Sequence, residues 1–419
     1  MKSVLIICSS FPPQQDVGGL RPAVFSKYFP AFGWRPVVLT RSYPIGDYLR
    51  KDTLDGFSGL PPNEDIICVE MNSEDDSGKL SNVWQKLYKF FCPELGVSWV
   101  LINSMCEAFI HSSHARDIDA IYATSPDIAA ITVGAALANS LNVPFVADFR
   151  DIVEQDTHQS FRDRLVYYRY IFRRYWITRN ASHVIVVSDE HKKILNKRVL
   201  PAVSVISNGY DPEMFDSTPT ISSKKFTINY TGSIISKHLR DPSVFFEALD
   251  LLMDACDVDI NDFVVSFVGS EKEVFNLMIS PYKCKSFVTV VDRVGYSEIP
   301  RLISTACMNL VLTNRGAKGV MTTKFFEYLA VRRPILCVPG DGGELDEAIA
   351  KTKSGFSGST PQDVYGYIKS VYVQWKTNEG VLPAIESVGI EQYSRKIMTK
   401  KLAALLDHSH ESHQRRFEK

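Results

Sequence analysis

The chain has 419 residues, 45% of them hydrophobic and 23% charged, with a formal net charge of −1. That length exceeds what one compact core holds and predicts two or three domains, while near-neutrality excludes a global pull on nucleic acid, so no nucleic-acid partner is expected. No apolar run reaches the ~18 residues that span a bilayer, and eight scattered cysteines without a Cys-x-x-Cys pair read as free thiols of a reducing compartment. The opening MKSVLIICSSFPP is short for a signal peptide and reads as a strand. A cytoplasmic protein, acting at most at the inner face of a membrane, is the expectation.

Taken in order, Ser3–Cys8 is a continuous apolar strand of the kind buried on both faces of a parallel sheet. A helix opened by Gly18, Gly19 and Arg21 runs to about Phe32, and Arg35–Thr40 is the next strand. This is a βαβ beginning without the G-x-G-x-x-G of a dinucleotide site. Gly18-Gly19 would let backbone approach a phosphate or an acceptor, or would serve a turn needing positive φ. Ile66–Val69 is a strand, Asn72–Gly78 a polar acidic loop and Lys79–Phe109 an aromatic helix. After strand Asp119–Ala123 and helix Ile128–Leu141, strand Pro144–Ala147 delivers Asp148, Phe149, Arg150 and Asp151 at its carboxyl end. Ligands of open parallel sheets bind there, so Asp148, Arg150 and Asp151 are site candidates; the alternative is an ion-paired loop.

Phe161–Asn180 packs six arginines among two phenylalanines, four tyrosines and a tryptophan, with Asp163 as its acid. Such a helix suits peripheral contact with an anionic membrane, or packs between domains through ion pairs. His183–Val187 is a strand, Ser188 caps helix Asp189–Lys197, and Val203–Ile206 ends the first array. The polar stretch Ser217–Lys225 reads as a linker. A second βα array follows through strands Phe226–Tyr230, Phe263–Val268, Val288–Val290 and Met308–Thr313, with helices at Ser243–Ala255 and Tyr296–Cys307. Glu391–Leu406 is an amphipathic helix, and His408–Lys419 a polar tail expected to fray. Two arrays predict an α/β protein of two facing Rossmann-like domains with a cleft between them, with residues 1–215 as the first domain, 216–390 as the second and 391–419 as a closing helix and tail.

The densest signal is Gly316–Glu347. Glycine-spaced loop residues lead to Thr322 and Thr323 at a helix-cap position. The amphipathic run Lys324–Val331 carries Glu327, and Arg332-Arg333-Pro334 precede the apolar strand Ile335–Val338. A glycine loop feeding a helix N-terminus gathers free N–H groups and the positive end of the dipole at one spot, which suits an anion. Glu327, a turn further in, is placed to accept hydrogen bonds from sugar hydroxyls.

These motifs together resemble a glycosyltransferase of the GT-B fold, most like the retaining family 4. The resemblance rests on PFVADFRD (Pro144–Asp151), VIVVSDEHKKIL (Val184–Leu195), VISNGYDPEMF (Val205–Phe215), YTGSI (Tyr230–Ile234), FVGS (Phe267–Ser270) and TKFFEYLAVRRPIL (Thr323–Leu336). It implies that Gly232, with Ser233 and Gly269, lets backbone pass close to a donor diphosphate. It makes Arg240 and Lys237 the basic pair that neutralises the leaving group, and it gives Glu327 the ribose hydroxyls. Where the family has the first Glu of a Glu-x7-Glu pair, this chain has Gly319; Lys324 and the backbone of Val320–Thr323 stand in as the expected contacts. Gly18, Gly19, Arg21 and Arg150 would form an acceptor or phosphate loop, Asp151 or Asp148 would orient the acceptor or donor sugar, and the closing helix would cross back to the first domain.

The function so implied is metal-independent, retaining transfer of a sugar from a nucleotide diphosphate-sugar to a glycan or lipid-linked acceptor in surface polysaccharide synthesis. The nucleotide-sugar is a substrate and no cofactor is expected. Asp117/Asp119 and Asp257/Asp259 form Asp-x-Asp pairs away from these motifs and are not read as metal ligands. The alternatives are a GT-B nucleotide-sugar epimerase, whose chemistry requires more acids and histidines in the cleft than this chain supplies, and a non-catalytic nucleotide-sugar-binding relative.

Overall fold

The computed structural model describes residues 1–13, 17–42, 59–70, 99–125, 128–155, 161–215, 224–234, 240–256, 258–313 and 319–415. The segment 72–78 read as an acidic loop, residues 79–98 of the expected aromatic helix and Lys237 lie outside them. The chain divides into two compact units, Met1–Ser207 with Arg395–Lys419, and Asn208–Ser394.

In the first unit the strands are β1 (Lys2–Cys8), β2 (Trp34–Ser42), β3 (Ile66–Glu70), β4 (Ala120–Thr124), β5 (Phe145–Phe149), β6 (His183–Val186) and β7 (Val203–Val205), and the helices α1 (Val17–Tyr28), α2 (Trp99–Ile110), α3 (Ile128–Leu141), α4 (Phe161–Thr178) and α5 (Asp189–Leu195). The strands pair in parallel in the order β3-β2-β1-β4-β5-β6-β7. Successive side chains of a strand point to opposite faces, and β1 uses both. Leu5 and Ile7 join Ile131, Val133 and Leu137 of α3 on one face, while Val4 and Ile6 join Ala23 and Phe25 of α1 on the other. That double burial is why the strands read as unbroken apolar runs. A Cβ on Gly134 would stand 2.7 Å from Phe145 Cε2 and 2.8 Å from the Ala123 Cβ, so α3 lies this close to β4 and β5 because the residue is glycine. Ser188 caps α5 as expected, its Oγ accepting from the His191 N–H at 3.2 Å.

The second unit runs α6 (Pro212–Phe215), β8 (Phe226–Thr231), α7 (Ser243–Ala255), β9 (Phe263–Val268), α8 (Lys272–Ile279), β10 (Val288–Val291), α9 (Ile299–Ser304), β11 (Met308–Leu312), α10 (Thr323–Ala330), β12 (Ile335–Val338), α11 (Glu344–Thr352), β13 (Gly355–Ser357) and α12 (Pro361–Thr377). Its parallel order is β10-β9-β8-β11-β12-β13. Phe226, Ile228, Phe267 and Leu310 meet the aromatic faces of α7 and α12, and Val311, Ile335 and Cys337 meet Phe325 and Leu329 of α10. Both sheets therefore reverse strand order beside their first strand, at β1/β4 and at β8/β11. The carboxyl ends of the strands at such a switch point are where α/β sheets take ligands.

The expected α/β class of two Rossmann-like sheets is what the chain adopts, and several details differ. The units part at 207/208 rather than 215/216, because Tyr210 donates its N–H to Tyr393 O (3.1 Å) and bridges Ser394 in the second unit. The first helix stops at Tyr28, and Gly33 (φ 82°) closes a 3-10 turn at Phe29–Phe32. The tail does not fray at His408: α13 (Arg395–Gln414) runs on and packs Met398, Leu402 and Leu406 into the first unit's core, so the chain does cross back. His410 Nδ1 lies 3.1 Å from Asp119 O and His413 Nε2 lies 2.8 Å from Asn142 O, which fix its far end. Among the described cysteines all are free thiols, with Cys68 and Cys256 exposed rather than buried.

Candidate functional site

In the second unit the site is built at the end of its central strand. β8 ends at Thr231, and Gly232 follows with φ +136°, a conformation glycine adopts at little cost. Its N–H donates to Val268 O (2.7 Å) and its carbonyl accepts from Ser270 Oγ (2.9 Å), which locks the turn to the end of β9. A Cβ there would lie 2.5 Å from Lys324 Cε and 2.6 Å from Lys324 Nζ. The glycine is what lets that side chain cross the strand end.

α10 supplies Lys324 and Glu327 one turn apart on one face. Its apolar side, Phe325, Phe326 and Leu329, is buried, so the helix is held by packing; Thr322, at the cap position, makes no side-chain cap bond, and Thr323 opens the helix. Glu327 is buried and accepts from Tyr296 Oη at 2.9 Å. Tyr328 Oη accepts the Thr231 N–H (3.2 Å) and lies 2.9 Å from Thr231 Oγ1, tying α10 to the strand end; burial pushes its phenol up. Arg240 donates from Nη1 to Tyr230 Oη (3.1 Å) and to Ser233 O (2.8 Å), so the expected Ser233 contributes its carbonyl to holding a cation.

Two basic side chains thus converge over one backbone. Arg240 Nη1 is 3.8 Å from the Gly232 Cβ position, beside Lys324, whose Nζ also lies 5.4 Å from the centre of the Tyr230 ring. Burial, then the Arg240 guanidinium, lower the Lys324 ammonium from its ordinary value to about 7, against an opposing pull from Glu327. Such a pair is short of negative charge. Gly269, at the end of β9, has φ +84° and donates to Val291 O (2.9 Å). Gly319 has φ +80° and its carbonyl accepts from the Met321 N–H (3.1 Å). A left-handed residue is poorly suited to Glu, so the departure from Glu-x7-Glu is built into this turn.

The first unit disposes of its candidates differently. Asp148, at the end of β5, is fully buried and its carboxylate is occupied. It accepts from Arg21 Nε (2.7 Å), from Thr124 Oγ1 (3.3 Å) and from the Tyr122 hydroxyl. Arg21, also buried, donates further to Ser207 O and Ile206 O, both at 2.8 Å. Burial opposes the Arg21 charge, but Asp148 and Tyr122 outweigh it and hold its pKa above the ordinary value; burial and then Asp148 push the Tyr122 phenol well up. Asp148 and Arg21, both expected to face a ligand, form an ion-paired tie joining α1, β5 and the segment after β7. Arg150 is likewise a strut, donating from Nη1 to Gly18 O (3.0 Å) and from Nε to Ser125 O. Gly18 and Gly19 lie inside α1 without positive φ, and a Cβ on Gly19 would meet Phe11 backbone at 3.4 Å, an ordinary contact. Asp151 is exposed just beyond β5. Reading the sequence misses the tyrosines Tyr230, Tyr296 and Tyr328; the signal available was Tyr230 at a strand end, Tyr296 directly after Gly295, and Tyr328 next to Glu327.

Comparison with known proteins bears on the fold. Residues 23–214 match the family described as Glycosyltransferase Family 4. No curated protein sequence matches the chain. Among solved structures, HepE of Anabaena, in complex with UDP and glucose, superposes with a TM-score of 0.65 at 15% identity, over 97% of this chain and 100% of that one. A glycosyltransferase from Rickettsia africae gives 0.64 at 16%, over 97% and 98%. A putative UDP-N-acetylglucosamine 2-epimerase from Listeria monocytogenes gives 0.56 at 10%, over 98% of both chains. The chain has the GT-B fold and resembles the family 4 glycosyltransferases.

Proposed function

We propose that the protein is a glycosyltransferase that takes a sugar from a nucleoside diphosphate-sugar, with UDP as the nucleotide, and passes it to a glycan or lipid-linked acceptor in surface polysaccharide synthesis. One observation carries this reading: Lys324 and Arg240 meet over the Gly232 backbone, one helical turn from the Glu327–Tyr296 pair. A guanidinium beside a lysine that takes up its proton as an anion arrives, both over bare backbone, suits a diphosphate. A buried carboxylate already shaped by a phenol suits the hydroxyls of a ribose. UDP is chosen because HepE, similar in fold, was crystallised with UDP and glucose.

The chemistry follows from where charge develops. As the bond between the sugar carbon and the phosphate oxygen breaks, negative charge grows on the diphosphate, and Arg240 and Lys324 stabilise it without reorganising. The acceptor oxygen forms the new bond on the same face of the sugar, and its proton passes to the departing phosphate oxygen, which retains configuration. No cofactor enters this scheme. Asp151 is the carboxylate proposed to orient the acceptor.

The test is incubation of the purified chain with a panel of UDP- and GDP-sugars, following nucleotide release and the sugar product. Hydrolysis or transfer with one donor is expected. Binding without turnover of any donor would make the chain an inert relative. A second reading, the epimerase, draws on the Listeria likeness. It is disfavoured because His238 is the sole histidine between residues 208 and 394, and a C2-epimerised sugar among the products would establish it.

A further inference from the structure

α4 has two faces of opposite character. Tyr170, Arg174 and Thr178, spaced four apart, are buried against the first unit. Arg174, one of the six arginines of Phe161–Asn180, is fully buried. It forms a two-pronged pair with Glu154 (Nη1–Oε2 3.0 Å, Nη2–Oε1 2.5 Å) and lies over Phe149 and Tyr170 at 5.9 and 5.8 Å. On the opposite side Leu165, Tyr168, Phe172 and Trp176 form one stripe, exposed by 42%, 64%, 65% and 46%. At 1.5 Å per residue the stripe is about 16 Å long. Phe172 and Trp176 pack edge to face at 5.9 Å, and the Arg179 guanidinium lies 4.4 Å from the Trp176 ring.

Isolated exposed apolar residues are ordinary, whereas a row of aromatic rings on one helix is not. The polar residues around this row decide its partner. Arg164 and Arg179 are exposed at its two ends, Arg169 and Arg173 are half-buried along its flank, and the helix carries one acid, Asp163. Aromatic rings bordered by arginines match the headgroup layer of a bilayer, where rings sit at the interface and guanidinium groups meet phosphate. A groove lined by Ala135, Ala138 and Phe145 opens beside Trp176 and Arg179, extending the apolar surface. Among the described residues no helix is long and apolar enough to cross a membrane, so any association through this helix lies at the surface.

We propose that the Leu165–Trp176 face of α4 docks the protein on an anionic lipid bilayer. Tyr168, Phe172 and Trp176 enter the headgroup layer, and Arg164 and Arg179 bind lipid phosphates. The face belongs to the first unit and the Lys324 cluster to the second, and the proposal does not rest on the glycosyltransferase reading.

The experiment is co-sedimentation of the full chain with vesicles of phosphatidylcholine alone or mixed with phosphatidylglycerol. Binding to the anionic vesicles only is expected. F172S/W176S should abolish it, and R164Q/R179Q should weaken it about fivefold per arginine, with circular dichroism and thermal melting unchanged because all four residues are exposed. UDP affinity, read in parallel, should be the same in every variant. Absence of binding to anionic vesicles, or binding unmoved by F172S/W176S, overturns the proposal. So does sedimentation velocity showing a dimer that the same double substitution dissociates, which would assign the stripe to a second copy.

Discussion

Raising the pH from 7.5 to 8.5 should weaken nucleoside diphosphate binding about eightfold, and a single side chain sets that figure. Lys324 is held down to about 7 by burial and by Arg240, so the ammonium fraction falls from about 24% to about 3% over this interval. If the ammonium is the form that meets the phosphate, binding must first recover the proton. Titration calorimetry with UDP at pH 8, repeated in buffers of different ionisation enthalpy, should read an uptake of about 0.9 proton per UDP bound. This range lies above the second phosphate ionisation near pH 6, so UDP itself contributes little. Lys324→Met should bind more weakly, take up no proton and show no pH dependence. For stability of the free protein the sign runs the other way. The unfolded chain keeps its Lys324 proton up to the ordinary value of 10.5, so between about pH 7 and that value it binds more protons than the folded chain. The cost of the buried ammonium is therefore present in full below pH 7 and is relieved as pH rises. Wild-type affinity that stays level across this range, with no proton uptake, would remove Lys324 from the phosphate site.

The neighbouring residues give sharper individual tests. Glu327→Ala should cost about 1.5–3 kcal/mol of UDP affinity by calorimetry, the range for hydrogen bonds to a charged group, and an unchanged affinity would sink the ribose role. Arg240→Ala should depress kcat further than it raises the donor Kd, because it acts on charge that develops late; equal losses would mean uniform binding. Asp148→Asn removes the partner of a buried guanidinium, a change that costs about 3–5 kcal/mol. Urea unfolding followed in the first unit should show it, with turnover per folded molecule retained, and a loss below about 1 kcal/mol would put the tie elsewhere.

How far the fold could be read from sequence depended on burial. β1, β4 and β5 are covered on both sides, so Val4–Cys8, Ala120–Ala123 and Phe145–Ala147 are apolar without interruption and the strands declare themselves. α13 was harder. Its polar end is rich in histidine and looks like a fraying tail, yet His410 and His413 find backbone carbonyls on the first unit that no local pattern announces. The site split along the same line. Gly232 stands in a motif that marks the end of a strand, whereas the surroundings of Asp148 depend on Arg21, 127 positions away, and those of Glu327 on Tyr296. An acid at a strand end looks the same from sequence whether it faces a ligand or a buried arginine.

The second unit begins and ends within one hydrogen bond of itself, Tyr210 to Tyr393, and the chain on either side belongs to the first. In order of synthesis it is an insertion. Residues 208–394 hold a complete sheet while Val4, Ile6 and Phe25 still lack Met398, Leu402 and Leu406. On the ribosome, therefore, the half that is started first is finished last, and it stays open along one face until residues 395–414 emerge.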